Sequence, residues 1–425
     1  MSKRTNALET TAVVVFTVLG AIVCAGCRKE TPVASAGARA EPALSTAQVP
    51  STQIPQAPGP TPEAATSGAS PEAEHEKGAA LAAEGRFDEA RQVFEAAARV
   101  DPTDGSLSAA VAILNDLQAK RIDGEVVRRL FRSMQHANAG RWSEAHADAD
   151  EAIKLAPAYP RAYGLRGTLF VTQGKYQEAL GAFDQVVKLD PKFAEGYYNR
   201  GATRSELDQY DAAIRDYDRA IELQPDFADA YRNRGSAHLN RGLATENKQD
   251  LLDAMADYTK AHDLAPRAVE PLYLRGVLYA LSEAWDAAVA DFTAVIERDE
   301  RHAEAYYNRG FAYQNLGDED RAVADYTRSI EFDPADPKPL INRGLIYAKR
   351  KDVDRALADY DKAASVAPAL LNSYYNKGLV LEQAGRPTEA AAAYRLVLQK
   401  AGSDDAPLAG QARQRLAEIE KAPKK

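Results

Sequence analysis

The stretch Ala303 to Asp336, AEAYYNRGFAYQNLGDEDRAVADYTRSIEFDPAD, decides how the chain folds. Counted from Ala303 as position one, small or apolar residues fall at Tyr306, Gly310, Tyr313, Gly317, Ala322, Tyr326 and Ile330, with a proline at Pro334. Apolar side chains three or four positions apart share one face of a helix, and this spacing runs on both sides of Gly317. The Gly-Asp-Glu-Asp break between the runs is too short for anything but a tight turn, so the two helices fold back as a hairpin. Gly310 and Ala322 are expected where the axes approach most closely, because a side chain larger than a methyl would push them apart. Asp333, ahead of Pro334, is expected to cap the helix that follows, with the proline in that helix's first turn.

The rest of the chain is mostly this stretch written again. The glycine at position eight recurs as Gly167, Gly201, Gly235, Gly276, Gly310, Gly344 and Gly378, at spacings of 34, 34, 41, 34, 34 and 34. Alanine follows at Ala179, Ala213, Ala254, Ala288, Ala322, Ala356 and Ala390, and four residues beyond each comes an aromatic, from Phe183 to Tyr394. Here the chain resembles the tetratricopeptide repeat, a helix-turn-helix unit of 34 residues, over residues 158–402. Two weaker copies lie upstream. One carries Gly78, Gly85, Ala90, Phe94, Ala97 and Pro102; the other keeps Gly140, Ala145, Ala152 and Pro157 but has Ser133 and Ala149 in place of glycine and an aromatic.

The resemblance implies an all-α tetratricopeptide-repeat solenoid, a right-handed superhelix of about nine helix-turn-helix repeats closed by a C-terminal capping helix. The expected plan is two weak units with an extra helix over 74–157, seven units over 158–402, and a cap with its tail over 403–425. Ser106 to Lys120 and Glu125 to Ala139 each read as a helix, and one has no partner in the register. It either packs as an extra helix joining the first unit to the array or marks a flexible break. Leu408, Ala412, Leu416 and Ile419 give the terminal helix an apolar face for the last unit. A chain of 425 residues would ordinarily suggest several globular domains, but a solenoid grows by adding units and needs no single large core.

Net charge is −9 with 27% charged residues, and no basic stripe is present, which argues against a nucleic-acid partner. Residues 1–26 have the layout of an export signal: Lys3 and Arg4, an apolar run from Ala12 to Val23, then small residues. That run is too short for the ~20 residues of a spanning helix. Ala25-Gly26-Cys27 resembles the lipobox of bacterial lipoproteins, with Cys24 where that family usually has leucine. The resemblance implies acylation of Cys27, and Arg28 in place of the retention aspartate implies an outer-membrane protein facing the periplasm. Cys27 would then be the only cysteine of the mature protein, which rules out an internal disulfide. Residues 27–73, rich in Pro, Ala, Ser and Thr, cannot bury enough apolar surface to order themselves and read as a tether.

The sequence holds no Gly-rich phosphate loop, His-Glu-x-x-His or Gly-x-Ser-x-Gly, so neither catalysis nor a metal or cofactor is expected. His136 and His146 are the histidines nearest to a ligand pair, but ten residues across a turn is a poor ligand spacing. What recurs beyond the packing positions is asparagine at position six: Asn199, Asn233, Asn308, Asn342 and Asn376, with Leu165 and Leu274 breaking the series. An amide offers both a donor and an acceptor, so a row of them can hold an extended peptide by its backbone. This resembles the asparagine ladder of the O-linked N-acetylglucosamine transferase superhelix, although no glycosyltransferase domain follows here. The alternative is that each amide bonds a neighbouring helix.

Every one of these asparagines precedes a cation, Arg200, Arg234, Arg309, Arg343 or Lys377, and Arg275 stands likewise after Leu274. Asp216, Asp257, Asp291, Asp325 and Asp359 recur on the second helix at the matching level, so structural Arg–Asp pairs are expected. The long interval, around Ala244 to Asp250, adds about two helical turns and should lengthen one hairpin without changing its register. The sequence therefore reads as a membrane-anchored scaffold or adaptor that binds proteins or extended peptides of the cell envelope. The second reading is a regulatory or substrate-presenting subunit of an envelope enzyme, such as a glycosyltransferase or a peptidoglycan-processing enzyme. Oligomeric state is not legible.

Overall fold

The computed structural model describes residues 71–100, 105–402 and 406–421. The export signal, Cys27 and nearly all of the tether lie outside them. Every element among the described residues is a helix, twenty in all, and none is long and apolar enough to cross a membrane. They form two compact units divided between Leu264 and Ala265.

The first unit pairs α1 (Pro71–Glu84) with α2 (Phe87–Val100), then adds α3 (Gly105–Gln118) outside the hairpin pattern. Four hairpins follow: α4 (Gly124–Asn138) with α5 (Trp142–Leu155), α6 (Pro160–Thr172) with α7 (Tyr176–Leu189), α8 (Ala194–Ser205) with α9 (Tyr210–Leu223), and α10 (Ala228–Thr245) with α11 (Lys248–Leu264). In the second unit the hairpins are α12 (Glu270–Leu281) with α13 (Trp285–Arg298), α14 (Ala303–Asn315) with α15 (Glu319–Phe332), α16 (Pro337–Lys349) with α17 (Val353–Val366), and α18 (Leu371–Gln383) with α19 (Pro387–Lys400). The last helix is α20 (Ala406–Lys421).

Every hairpin but α4–α5 closes around the same three kinds of residue, a glycine, an alanine and an aromatic. A Cβ placed on Gly310 would stand 3.1 Å from the Tyr326 ring and 3.2 Å from the Ala322 carbonyl, and one on Gly378 would stand 2.5 Å from the Tyr394 ring. The position-eight glycine is therefore the space into which the second helix's aromatic packs, and Ala322 and Tyr326 are fully buried. The α4–α5 hairpin solves the same fit with the sizes exchanged. Ser133 carries the side chain and Ala149 gives up the ring, and the buried Ser133 hydroxyl donates to the Ala145 carbonyl at 2.7 Å.

The helix with no partner is packed. Leu107 and Leu114 of α3 are fully buried in one core with Phe94 of α2 and Phe131 of α4. At the other end Ala412 of α20 is fully buried, and Leu408, Leu416 and Ile419 pack on the core around Tyr394 and Val397. Arg395 of α19 bonds Glu420 of α20 at 2.7 Å. The long interval produces helices of 18 and 17 residues, α10 and α11, where the flanking first helices have 12.

Two expectations need correction. Asp333 does not cap the next helix: its carboxylate accepts from Ala335 N at 3.0 Å inside the turn. The cap of α16 is Asp336, which accepts from Lys338 N at 3.0 Å, and the proline in that first turn is Pro337. Two further turn residues separate Pro334 from the helix, so the cap moves three positions along. The first helix also begins at Pro71, inside the stretch read as tether, because proline is well tolerated at a helix start.

Candidate protein-binding face of the first helices

The first helix of each hairpin carries the recurrent asparagine and arginine side by side. The expected Arg–Asp pairs form, and each is a two-bonded fork. Arg200 meets Asp216 at 3.0 and 2.7 Å, Arg234 meets Asp257 at 2.9 and 2.6 Å, and Arg275 meets Asp291 at 2.8 and 2.8 Å. Arg309 meets Asp325 at 2.8 and 2.8 Å, and Arg343 meets Asp359 at 2.9 and 2.7 Å. All five carboxylates are buried. Burial by itself would lower the Arg309 guanidinium, but the hydrogen bonds and charge of Asp325 outweigh it and hold the group above its ordinary value.

The remaining guanidinium nitrogen reaches back to the preceding hairpin. Arg200 bonds Asp184 at 2.8 Å, Arg234 bonds Asp218 at 2.6 Å, and Arg309 and Arg343 bond the hydroxyls of Thr293 and Thr327 at 3.1 and 2.9 Å. Lys377 pairs with Asp361 in the same place. Arg200, Arg234, Arg309 and Arg343 thus each tie their own second helix to the one before. With their carboxylates engaged in this way, the arginines are packing elements.

The asparagines divide into two groups. Asn233, Asn308 and Asn342 are buried, and their amide NH2 groups donate to the hydroxyls of Tyr198, Tyr273 and Tyr307 at 3.0, 3.1 and 3.3 Å. Each of those tyrosines stands 35 residues earlier, at position five of the preceding hairpin. Burial pushes the Tyr198 phenol up to about 12, so it stays neutral and can accept from Asn233. These three amides are inter-helix rungs, which corrects the expectation that they face a peptide. Asn199 and Asn376 are different. Both are half-buried and make no side-chain hydrogen bond among the described residues. The residues that would complete their rungs are Gly164 and Ile341, which carry no hydroxyl. Five asparagines look alike in sequence; the signal that separates them is the residue 35 positions before each.

Family models described as tetratricopeptide repeat match residues 73–104, 134–192, 182–215, 303–336 and 341–406, and one described as TPR repeat matches 203–242. The chain is a tetratricopeptide-repeat protein. No curated protein matches this TPR chain in sequence. Among solved structures, a tetratricopeptide repeat protein from Parabacteroides merdae is 22% identical, with 65% of this chain and 100% of that one covered, at a TM-score of 0.45. YrrB, described as a TPR protein with an unusual peptide-binding site, is 24% identical over 46% of this chain and 97% of its own, at a TM-score of 0.39. The Cut9–Hcn1 hetero-tetramer of the APC/C is 16% identical over 72% of this chain and 54% of that one, at a TM-score of 0.47.

Two other clusters in the TPR array carry polar groups. His238, Asp250 and Asp253 approach one another closely enough to share an ion. Arg241, however, forks onto both Asp250 oxygens and Asn247 adds a third bond, so that carboxylate is already neutralised by a guanidinium. The node fastens the lengthened hairpin. His136 and His146 do not form a ligand pair: His146 Nε2 lies 2.8 Å from the Gln173 amide, and its ring packs on Phe170. An open cleft of about 610 Å³ lies between the end of α3 and the starts of α6 and α8, lined among others by Asp116, Arg121, Tyr159, Arg161 and Phe193. The Tyr159 hydroxyl donates to the buried Asp116 at 2.9 Å, and Arg121 holds the other carboxylate oxygen at 2.9 Å.

The two groups of asparagine respond differently to substitution. Asn342→Ala leaves the Tyr307 and Tyr326 hydroxyls without its amide in a closed site, a loss of about 1–2 kcal/mol. Asn376→Ala removes a half-exposed amide and should stay within about 0.5 kcal/mol of the parent. Urea titration of the two variants checks this, and equal losses would place Asn376 among the rungs.

Proposed function

We propose that this TPR protein is a non-catalytic scaffold that binds protein or extended-peptide partners on its first-helix surface, tethered in the cell envelope through an acylated Cys27. The observation that carries the binding role is the pair of unspent amides. The amide NH2 groups of the buried Asn233, Asn308 and Asn342 are engaged by tyrosine hydroxyls, whereas Asn199 and Asn376 each present a donor and an acceptor on a half-exposed first helix. A scaffold of nearest-neighbour hairpins supplies a long, preformed surface for such a partner. The anchoring rests on the lipobox-like residues Ala25-Gly26-Cys27 and on the tether-like composition that follows.

Crosslinking in intact membranes, followed by affinity capture and mass spectrometry, tests the whole reading. The parent chain should bring down a defined envelope partner, and an Asn199→Leu/Asn376→Leu variant of equal helicity and melting temperature should lose it. Retention of the partner by that variant places the site elsewhere. In the same cells Cys27→Ser should abolish incorporation of labelled palmitate; continued labelling removes the lipid anchor from the proposal.

A further inference from the structure

We propose that the notch over Gly164 receives the side chain of a tyrosine from a partner polypeptide, with its hydroxyl on the free amide of Asn199. The protein itself supplies the template three times. In each complete rung a position-five tyrosine lies beside the second-helix aromatic of its own hairpin, as Tyr198 lies 6.1 Å from Tyr217, Tyr273 6.0 Å from Phe292 and Tyr307 5.8 Å from Tyr326. In two of the three it also packs on the residue just before the next first helix: Tyr198 is 4.8 Å from Phe227, and Tyr273 is 5.0 Å from His302. Its hydroxyl then accepts from the next hairpin's asparagine at 3.0 to 3.3 Å.

The α6–α7 hairpin keeps every part of this arrangement except the ring. Phe183 is the second-helix aromatic, Phe193 precedes the next first helix, and Asn199 is the asparagine. Position five is Gly164, and a Cβ placed there would meet a single side-chain atom, Val186 Cγ2 at 3.9 Å. The other unspent amide lacks this space, because the buried Ile341 fills the equivalent place before Asn376. Over Phe193 lies the Arg161 guanidinium, 4.8 Å from the ring centre, with ion-pair distances of 3.6 Å to Asp116 and 3.5 Å to Glu195. Those contacts are longer than hydrogen bonds, so Arg161 can step aside and lay its charge against an entering ring. Residues 1–70 contain no tyrosine, so the ring must come from elsewhere than that segment. A phenol suits the slot because its face is apolar and its tip needs one hydrogen-bond partner.

The inference rests on the scaffold reading, and its test separates the two. A random peptide library displayed on phage is panned against the full chain and against Gly164→Tyr, with Gly164→Ala as the control for losing a helical glycine. The parent and Gly164→Ala should select tyrosine-containing peptides, whose affinity falls about fivefold when that tyrosine becomes phenylalanine. Gly164→Tyr should refuse them and should melt higher than Gly164→Ala, a gain that Asn199→Leu removes. Peptides held equally by the parent and Gly164→Tyr overturn the slot and leave the scaffold standing. A Gly164→Tyr chain that loses its helical signal also overturns it, since the notch then cannot hold a phenol. If neither protein selects a peptide, both the slot and the scaffold reading fail. Asn199→Leu, the residue present at Leu165 and Leu274, gives an independent check: it should erase the preference for tyrosine over phenylalanine, and an unchanged preference counts against the assignment.

Discussion

Asp325→Ala should destabilise the second unit by about 3–5 kcal/mol, read as a lower urea midpoint, because it strips the carboxylate from a guanidinium that has no full replacement. Arg309 is 16% exposed, and among the described residues its only other side-chain hydrogen bond is to the Thr293 hydroxyl. A charge so placed has little water to fall back on. Replacing both partners, as in Arg309→Met/Asp325→Leu, should recover most of the loss, since two apolar chains of similar volume leave nothing unpaired. A double variant as unstable as the single one would mean that the fork, and not merely its balance of charge, is what the hairpin requires.

Removing residues 303–336 as a block should give a shorter, fully helical protein. The residues that follow arrive in register: Asn342 then stands 35 positions after Tyr273, and Arg343 takes the place of Arg309 above Thr293. The rung and the tie are both remade. Removing only residues 320–336 leaves α14 without its second helix and sets the next hairpin against the wrong face. Helical signal should fall by more than the deleted fraction, and the remainder should melt well below the parent. Circular dichroism of the two deletions decides, and equal damage from both would contradict a register built on neighbouring hairpins.

The hairpins, their turns and the Arg–Asp forks were legible because they depend on residues within one unit, where helical spacing places them. Gly310, Ala322 and Tyr326 are a three-body contact that any unit reveals alone. The fate of an asparagine is not local. Asn308 and Asn376 have the same neighbours in sequence, YYNRG and YYNKG, yet one is buried and the other is not, because one follows Tyr273 and the other Ile341 at a distance of 35 residues. The cap at Asp336 was missed for a simpler reason: two aspartates flank Pro334 within three residues on either side, and only the loop's path selects between them. How α3 would pack was not legible, since its partners Phe94 and Phe131 come from two different hairpins.

The backward-reaching cations also bear on how the array ends. On five second helices Asp184, Asp218, Thr293, Thr327 and Asp361 each receive the next hairpin's cation. The last, α19, carries Arg395 there, and it is answered by Glu420 of α20. Were another copy of the repeat to stack onto this end, its position-seven cation would meet Arg395. The charge at this position is thus reversed. Like charges at that contact oppose the stacking of a further hairpin on α19.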